Sequence, residues 1–409
     1  MEYRLTYETL LADLHQAYLD ARRHKRRKPY QLHFEARADE NLQELAAELW
    51  ERRYEPRPLT CFIVTDPKRR EVFAAEFRDR IVHHLYYNYT HEMLERTFIQ
   101  DSYSCLVGRG THYGIGRLER HIRRESQNYT EPCWVLKMDI KGYFMHINRQ
   151  RLCDITMRQL QRMAGHRVTK GLPGTWRERV DMDFAEYLTR DIILLDPTAN
   201  CRRRGTLLDW WGLPPSKSLF CSEEGCGLPI GNLTSQLFSN VYLNELDQYV
   251  KHCLKAKRYG RYVDDFYIVS ADQEWLHSLQ QPIADFLESQ LGLEVNASKT
   301  VVCNVRQGVG FLGVYLKPHR RYVSHAALKR IRDKVPGLRK VTDPEQLRSR
   351  LNSFLGILSH NRTYRIRREL YYHLPYVYRH GYYLRGMTKF VLYPFVMAKS
   401  QDHTGTVPL

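Results

Sequence analysis

The apolar positions change rhythm several times along the chain. At the N-terminal end the spacing is helical, with Leu10, Leu11, Leu14, Ala17 and Tyr18 on one face of a first helix. A run of cations follows, Arg22, Arg23, His24, Lys25, Arg26, Arg27 and Lys28, closed by Pro29. A second helix is expected over 39–53, ending ahead of Pro56 and Pro58. From 60 to 130 short apolar strands alternate with helices. Between 158 and 226 Gly, Pro, Arg and Trp cluster without a period, which predicts an insertion, partly helical around 179–195. Helical spacing returns from Leu328, where Leu347, Leu351, Phe354, Leu355 and Leu358 form one stripe. Neither a repeat nor a low-complexity linker interrupts the pattern, so the pieces are expected to pack as one body.

Three segments carry candidate chemistry. In Gly260-Arg261-Tyr262-Val263-Asp264-Asp265-Phe266-Tyr267-Ile268-Val269, two apolar runs flank an Asp pair, which reads as a strand-turn-strand hairpin. Aspartate is common in turns, but these flanks are apolar at nearly every position, as in buried strands. Two adjacent carboxylates at the tip of a buried hairpin are costly unless a cation neutralises them. A third carboxylate, Asp139, ends the apolar run Trp134-Val135-Leu136-Lys137-Met138, just before a turn at Gly142. Together they offer the oxygen-rich shell that Mg²⁺ takes, completed by water and substrate phosphates. Two such ions about 4 Å apart activate a hydroxyl and stabilise a leaving pyrophosphate. The third segment runs from Gly227-Leu228-Pro229-Ile230-Gly231 into a helix with Phe238, Val241, Tyr242, Leu246, Tyr249 and Val250 on one face. On its own it is an ordinary turn and helix.

Charge and cysteine content narrow the setting. The 409 residues carry 63 Lys plus Arg against 46 Asp plus Glu, a formal net charge of +17, as expected of a polyanion binder. No run of about eighteen apolar residues offers a membrane span, and the start Met1-Glu2-Tyr3-Arg4 lacks the apolar core of a secretory signal. Nine scattered cysteines fit a reducing cytosol better than a disulfide framework. Cys201, Cys221 and Cys226 lack the paired spacing of a tetrahedral zinc site, and free thiols are the better reading. The acidic residues Glu40, Glu44, Glu48 and Glu51 read as a solvated helix face before they read as a docking surface for a basic partner.

The order of strand-Asp, Pro-Ile-Gly turn with helix, Tyr-Val-Asp-Asp hairpin and Phe311-Leu312-Gly313 resembles the palm of reverse transcriptases. Arg69-Arg70-Glu71-Val72 with Phe77-Arg78-Asp79-Arg80, and Asp101-Ser102-Tyr103-Ser104 with Gly108-Arg109-Gly110-Thr111, look like the two fingers motifs. Leu291-Gly292-Leu293-Glu294-Val295-Asn296 with Lys299-Thr300 looks like the motif after the catalytic hairpin. The resemblance implies an α+β, right-hand polymerase: a helical extension over 1–60, fingers over 61–133, a palm over 134–322 with its insertion at about 160–226, and a helical thumb and tail over 323–409. It implies metal ligation by Asp139, Ile140, Asp264 and Asp265, with Mg²⁺ in two sites and Mn²⁺ as substitute. Phe144 would exclude a ribose 2′-hydroxyl, and Arg70 and Arg78 would reach the triphosphate, with Arg80 competing for the latter role. Lys299 would be a general acid toward pyrophosphate, and Phe311, Leu312 and Gly313 would grip the primer.

One departure narrows the resemblance. Most reverse transcriptases place Gln where this chain has Ile230, and that Gln contacts the incoming nucleotide. Ile230-Gly231 followed by Ser235-Gln236 is similar to reverse transcriptases of diversity-generating retroelements, as is the insertion with Cys201-Arg202-Arg203-Arg204 and 213–220. Ile230, Gly231 and Gln236 would then line the nucleotide pocket. Replacing a hydrogen-bonding amide by a purely apolar side chain weakens discrimination by roughly 1 to 3 kcal/mol per bond. In that group errors concentrate opposite template adenines, the template is a repeat region of a dedicated RNA, and a small basic, often pentameric accessory protein takes part. The runners-up are group II intron, retron or abortive-infection enzymes; Ile230, Ser235-Gln236 and the stop at Leu409 count against the intron enzymes. A non-catalytic RNA-binding scaffold sits poorly with three retained carboxylates.

Overall fold

The computed structural model describes residues 2–23, 28–66, 68–168 and 173–394. Its first strands are β1 (Leu59–Val64), β2 (Arg70–Ala74), β3 (Trp134–Asp139), β4 (Cys201–Arg203), β5 (Tyr259–Tyr262) and β6 (Asp265–Ser270). The remainder are β7 (Val301–Asn304), β8 (Val309–Phe311), β9 (Val314–Lys317), β10 (Arg320–Val323), β11 (Gly381–Tyr383) and β12 (Phe390–Leu392). The chain divides into two compact units, where the sequence suggested one body. One unit comprises 1–110, 137–268 and 277–301; the other comprises 111–136, 269–276 and 302–409.

In the first unit three helices precede β1, not two. Thr6 caps the first, Tyr7–Arg22, by accepting from the Thr9 amide, and Leu10, Leu14, Ala17 and Ala21 are buried. Pro29 does not merely close the cationic run. It opens a short helix, Pro29–Glu35, where its fixed φ and missing N–H cost nothing. Of that run, 24–27 lie outside the described residues. The next helix, Ala38–Trp50, stops three residues short of expectation because Arg52 turns into the left-handed region at φ 59°. Glu48 on that helix does not belong to a solvated acidic face, since it pairs with the buried Arg78.

The stretch read as an insertion is stitched into the β1–β2 hairpin. Strand β4 runs parallel to β1, with Leu59, Thr60 and Cys61 opposite Cys201, Arg202 and Arg203. Helix Met182–Leu194 covers the expected helical part. The four-stranded sheet has the order β5-β6-β3-β7, and its core faces are nearly continuous, with Val135, Leu136, Met138, Tyr259, Phe266, Tyr267 and Ile268 buried. Helix Leu233–Gln248 packs on helix Phe77–Glu95, where the Tyr86 and Phe238 rings lie 5.4 Å apart.

The second unit holds the antiparallel β8-β9-β10 sheet and a helical end. Leu347, Leu351 and Leu355 of helix Pro344–Ser359 close on Leu338, Leu374, Val377, Phe390 and Leu392. The arginines near this stripe are not one cationic track. Arg367 is buried and donates to the Gly386 carbonyl, while Arg348 pairs with Glu345. Among the described residues no helix is long and apolar enough to cross a membrane.

Candidate active site

Strands β5 and β6 pair antiparallel with Tyr262 opposite Asp265, which leaves Val263 and Asp264 as a two-residue loop. Val263 has φ 55°, a left-handed conformation that costs a β-branched side chain about 1 to 3 kcal/mol. What holds it is Arg261, which sequence reading passed over as one polar position in an apolar strand. Its side chain is fully buried and forks onto Asp247, Nε to Oδ1 at 2.8 Å and Nη2 to Oδ2 at 2.6 Å. Its Nη1 donates to the Val263 carbonyl at 3.1 Å and to Asn240 Oδ1 at 3.3 Å. The Tyr259 hydroxyl completes Asp247 at 2.6 Å. The tip is therefore pinned from below by a buried cation.

Asp139 ends β3, and the segment after the hairpin clasps it. Asn296 donates its amide to the Asp139 carbonyl at 2.8 Å and its side-chain nitrogen to Oδ1 at 3.2 Å. Lys299 Nζ lies 2.7 and 2.9 Å from the two carboxylate oxygens of Asp139. Ile140 bridges to Val295, and the Lys141 amide donates to Glu294. Burial, then the charge of Asp139, raises Asp264 above the usual carboxylate range, against the opposing charges of Lys299 and Arg70. Burial pushes Asp265 up to about 6, with Asp264 and Asp139 adding repulsion and Lys137 opposing it.

These carboxylates suit a hard cation. The donors are all oxygen, they repel one another, and their burial penalises bare charge, which a divalent ion relieves. Asp139 is turned onto Lys299 and Asn296, and among the described residues no three acidic, His or Cys side chains form a chelating cluster on their own. Mg²⁺ needs only one or two carboxylates beside water and substrate phosphates.

Phe144 and Ile230 are half-buried against one apolar cluster of Leu59, Cys61, Phe73, Ala75, Met145 and Leu219. The Leu228 amide donates to the Phe144 carbonyl at 2.8 Å, and the Phe73 amide to the Ile230 carbonyl at 2.8 Å. Gly231 has φ 134°, and a Cβ there would sit 2.9 Å from the Phe73 carbonyl, so the turn admits only glycine. Gln236 is exposed on the first turn of the following helix. Arg70 is exposed at the start of β2.

Arg78 is not brought to this group. It is buried between Glu48 and Asp79 with its guanidinium 5.2 Å from the Tyr54 ring, a pairing that holds it inside the helical part. Arg80 does not take its place, since its Nε donates to the Ala75 carbonyl and its Nη1 to the Tyr30 hydroxyl. Glu71, beside Arg70, was also missed. It is buried and accepts from Trp210 Nε1 at 2.6 Å, Ser218 Oγ at 3.1 Å and the Leu219 amide at 2.7 Å. It thus latches the 207–219 stretch to β2. In the other unit, Leu312 and Gly313 (φ 47° and 82°) form the two-residue turn of the β8–β9 hairpin, as a type I′ turn demands. Phe311 points into the core there, so only the turn itself is presented.

Cys201 packs on the apolar cluster, Cys221 is exposed and Cys226 is half-buried; all three are free thiols.

Residues 213–316 match the reverse transcriptase (RNA-dependent DNA polymerase) family. Protein YkfC of Escherichia coli (strain K12) is 24% identical over 313 residues, covering 68% of this chain and 72% of that protein. Among solved structures, telomerase from Candida albicans in complex with the TWJ fragment of telomeric RNA aligns with 79% of this chain and 55% of its own, at 12% identity and TM-score 0.46. Apo telomerase from Candida tropicalis aligns with 74% of this chain and 52% of its own, at 14% identity and TM-score 0.45. The chain thus spans about half the length of these two telomerases. A reverse transcriptase domain is present, and the α+β architecture with mainly antiparallel sheets is that of the right-hand polymerases.

Proposed function

We propose that this chain, an RNA-directed DNA polymerase and so a nucleotidyltransferase by its reverse transcriptase domain, copies its RNA template with deliberately low fidelity, as in a diversity-generating retroelement. The observation that carries the proposal is Ile230: the position that in most relatives of this type would offer an amide to the nucleotide is here an apolar side chain packed beside Phe144 on one cluster. A pocket walled by shape alone separates correct from incorrect bases less than one that also hydrogen-bonds.

The primer 3′-oxygen attacks the α-phosphorus, a new P–O bond forms, and pyrophosphate leaves. Asp139, Asp264 and Asp265, with the Ile140 carbonyl, would hold divalent ions, Mg²⁺ or Mn²⁺ in its stead, whose chemistry is to acidify the hydroxyl and stabilise the leaving oxygens. Arg70, whose charge already acts on Asp264, would meet the triphosphate. Lys299 would pass a proton to pyrophosphate, leaving Asp139 for the cation. Phe144 would crowd a ribose 2′-hydroxyl, Gly231 and Gln236 would border the same pocket, and the Leu312-Gly313 turn would meet the primer. Template RNA, primer and dNTPs are the partners, joined by a small basic accessory protein if the retroelement assignment holds.

Primer extension on an RNA template with Mg²⁺, followed by product sequencing, tests both levels. An excess of errors opposite adenine is expected, reduced in Ile230→Gln. An unchanged spectrum in an Ile230→Gln protein of wild-type stability refutes the fidelity assignment, and full-length DNA from the Asp264→Ala, Asp265→Ala double variant refutes the chemistry.

A further inference from the structure

The segment from Thr206 to Trp211 presents three large apolar side chains to solvent: Leu207 at 71%, Leu208 at 78% and Trp211 at 80% exposed. They are not loose. Thr206 and Asp209 form a reciprocal capping box, and the intervening Trp210 turns inward to donate to Glu71 at 2.6 Å. Arg69 donates to the Trp211 carbonyl, which ties the backbone beneath the exposed indole to the residue next to Arg70. A fixed, contiguous apolar patch on a soluble face marks a binding surface.

The charge around it selects the partner. Between Cys201 and Lys217 the chain carries Arg202, Arg203, Arg204 and Lys217, all exposed, against the single carboxylate of Asp209, which is engaged in its own cap. Arg203 lies over the Phe220 ring at 4.3 Å and Arg204 over the Phe62 ring at 4.2 Å, so both guanidinium groups rest on aromatic faces. Cations resting on aromatic faces in the same short stretch as an exposed indole match a single strand of nucleic acid, whose phosphates meet the arginines and whose unpaired bases stack on the ring. A duplex hides those base faces, and a basic protein partner is repelled.

We propose that the face formed by Arg202, Arg204, Leu207, Leu208, Trp211 and Lys217 anchors a single-stranded RNA segment outside the carboxylate site. It deepens the polymerase assignment but is read by binding alone, so failure of either leaves the other standing. The probe is a fluorescent 20-nucleotide unstructured RNA, titrated against the full-length protein without dNTPs or divalent ions. Trp211→Ala should weaken binding by about five- to a hundredfold, the range for losing one base stack. Arg202→Glu should lower the slope of log K against log[salt] by about 0.7 for each phosphate released. A blunt duplex of the same length should lose nothing with Trp211→Ala. Thermal melting of both variants at the wild-type midpoint shows that they fold. Unchanged affinity and slope in both overturns the proposal, as does an equal loss for duplex and single strand. An acidic peptide that competes for Trp211 while RNA affinity stays unchanged in the variants also overturns it, in favour of a protein partner.

Discussion

Replacing Arg261 by Met should both destabilise the protein and slow it, and a second substitution should separate the two effects. Arg261 and Asp247 are each fully buried, joined by two hydrogen bonds at 2.6 and 2.8 Å. Removing the cation strands a carboxylate in the interior, at a cost of about 3 to 5 kcal/mol. Replacing both charges, as in Arg261→Met with Asp247→Leu, removes that stranded charge, and such swaps are often neutral or stabilising. The pair therefore predicts recovery of most of the lost urea stability in the double variant. Activity should not recover with it. Arg261 also holds the Val263 carbonyl at 3.1 Å, and Val263 sits at φ 55° directly before Asp264. Without that tether the loop relaxes toward an unstrained conformation, and displacement of a reacting group by about 1 Å costs on the order of a hundredfold in rate. Single-turnover primer extension should stay about a hundredfold slow in both variants. If the double variant is as unstable as the single one, the buried charge is not what Arg261 secures. If it regains the wild-type rate, the tether to Val263 does not position the carboxylates.

Four further outcomes follow from the structure. Gly260→Ala should destabilise by about 1 to 3 kcal/mol in thermal melts, because a Cβ there would press on the hydroxyls of Tyr103 and Tyr267, themselves bonded at 2.7 Å. Asp265→Asn should stabilise the metal-free protein at pH 7 by at most about 3 kcal/mol, since the carboxyl is raised from 3.8 to about 6 and one unit is worth 1.36 kcal/mol. The sign follows from proton binding: the native state keeps a proton that the unfolded chain releases, so wild-type stability is lost as pH rises from about 4 to 6 and the gap to the variant opens over that window. Added Mg²⁺ should raise the melting point of the wild type and not that of the Asp264→Asn, Asp265→Asn protein, and equal shifts would count against the metal assignment. Phe144→Ala should lower the preference for dNTPs over rNTPs by at least about tenfold in kcat/KM, the scale for opening space in an apolar pocket.

Legibility in the sequence tracked periodicity. The Tyr-Val-Asp-Asp hairpin, the strand to Asp139 and the helix after Gly231 were readable because their apolar positions repeat in register with a strand or helix. Arg261 was not, because a lone cation in a strand carries no sign of the Asp247 that it meets from the preceding helix. Arg78 was misjudged for the converse reason. Its motif neighbourhood suggested a phosphate contact, whereas burial and the Glu48 partner depend on a helix thirty residues upstream. The 207–219 stretch looked formless because its 3₁₀ turns are too short to set a period, although Glu71 holds it and β4, just ahead of it, pairs with β1.

Ile230, Phe144, Trp210 and Phe220 all pack on one cluster, so Ile230 and the latched stretch share a core. A glutamine at 230 has two destinations. Turned toward the nucleotide it supplies the missing hydrogen bonds and should lower misincorporation at unchanged stability. Turned into the cluster it buries an unpaired amide, which costs about 1 to 3 kcal/mol and leaves fidelity where it was. Melting point and error spectrum must therefore be measured on the same Ile230→Gln protein. Only unchanged fidelity at unchanged stability shows that the side chain at 230 does not set the accuracy of copying.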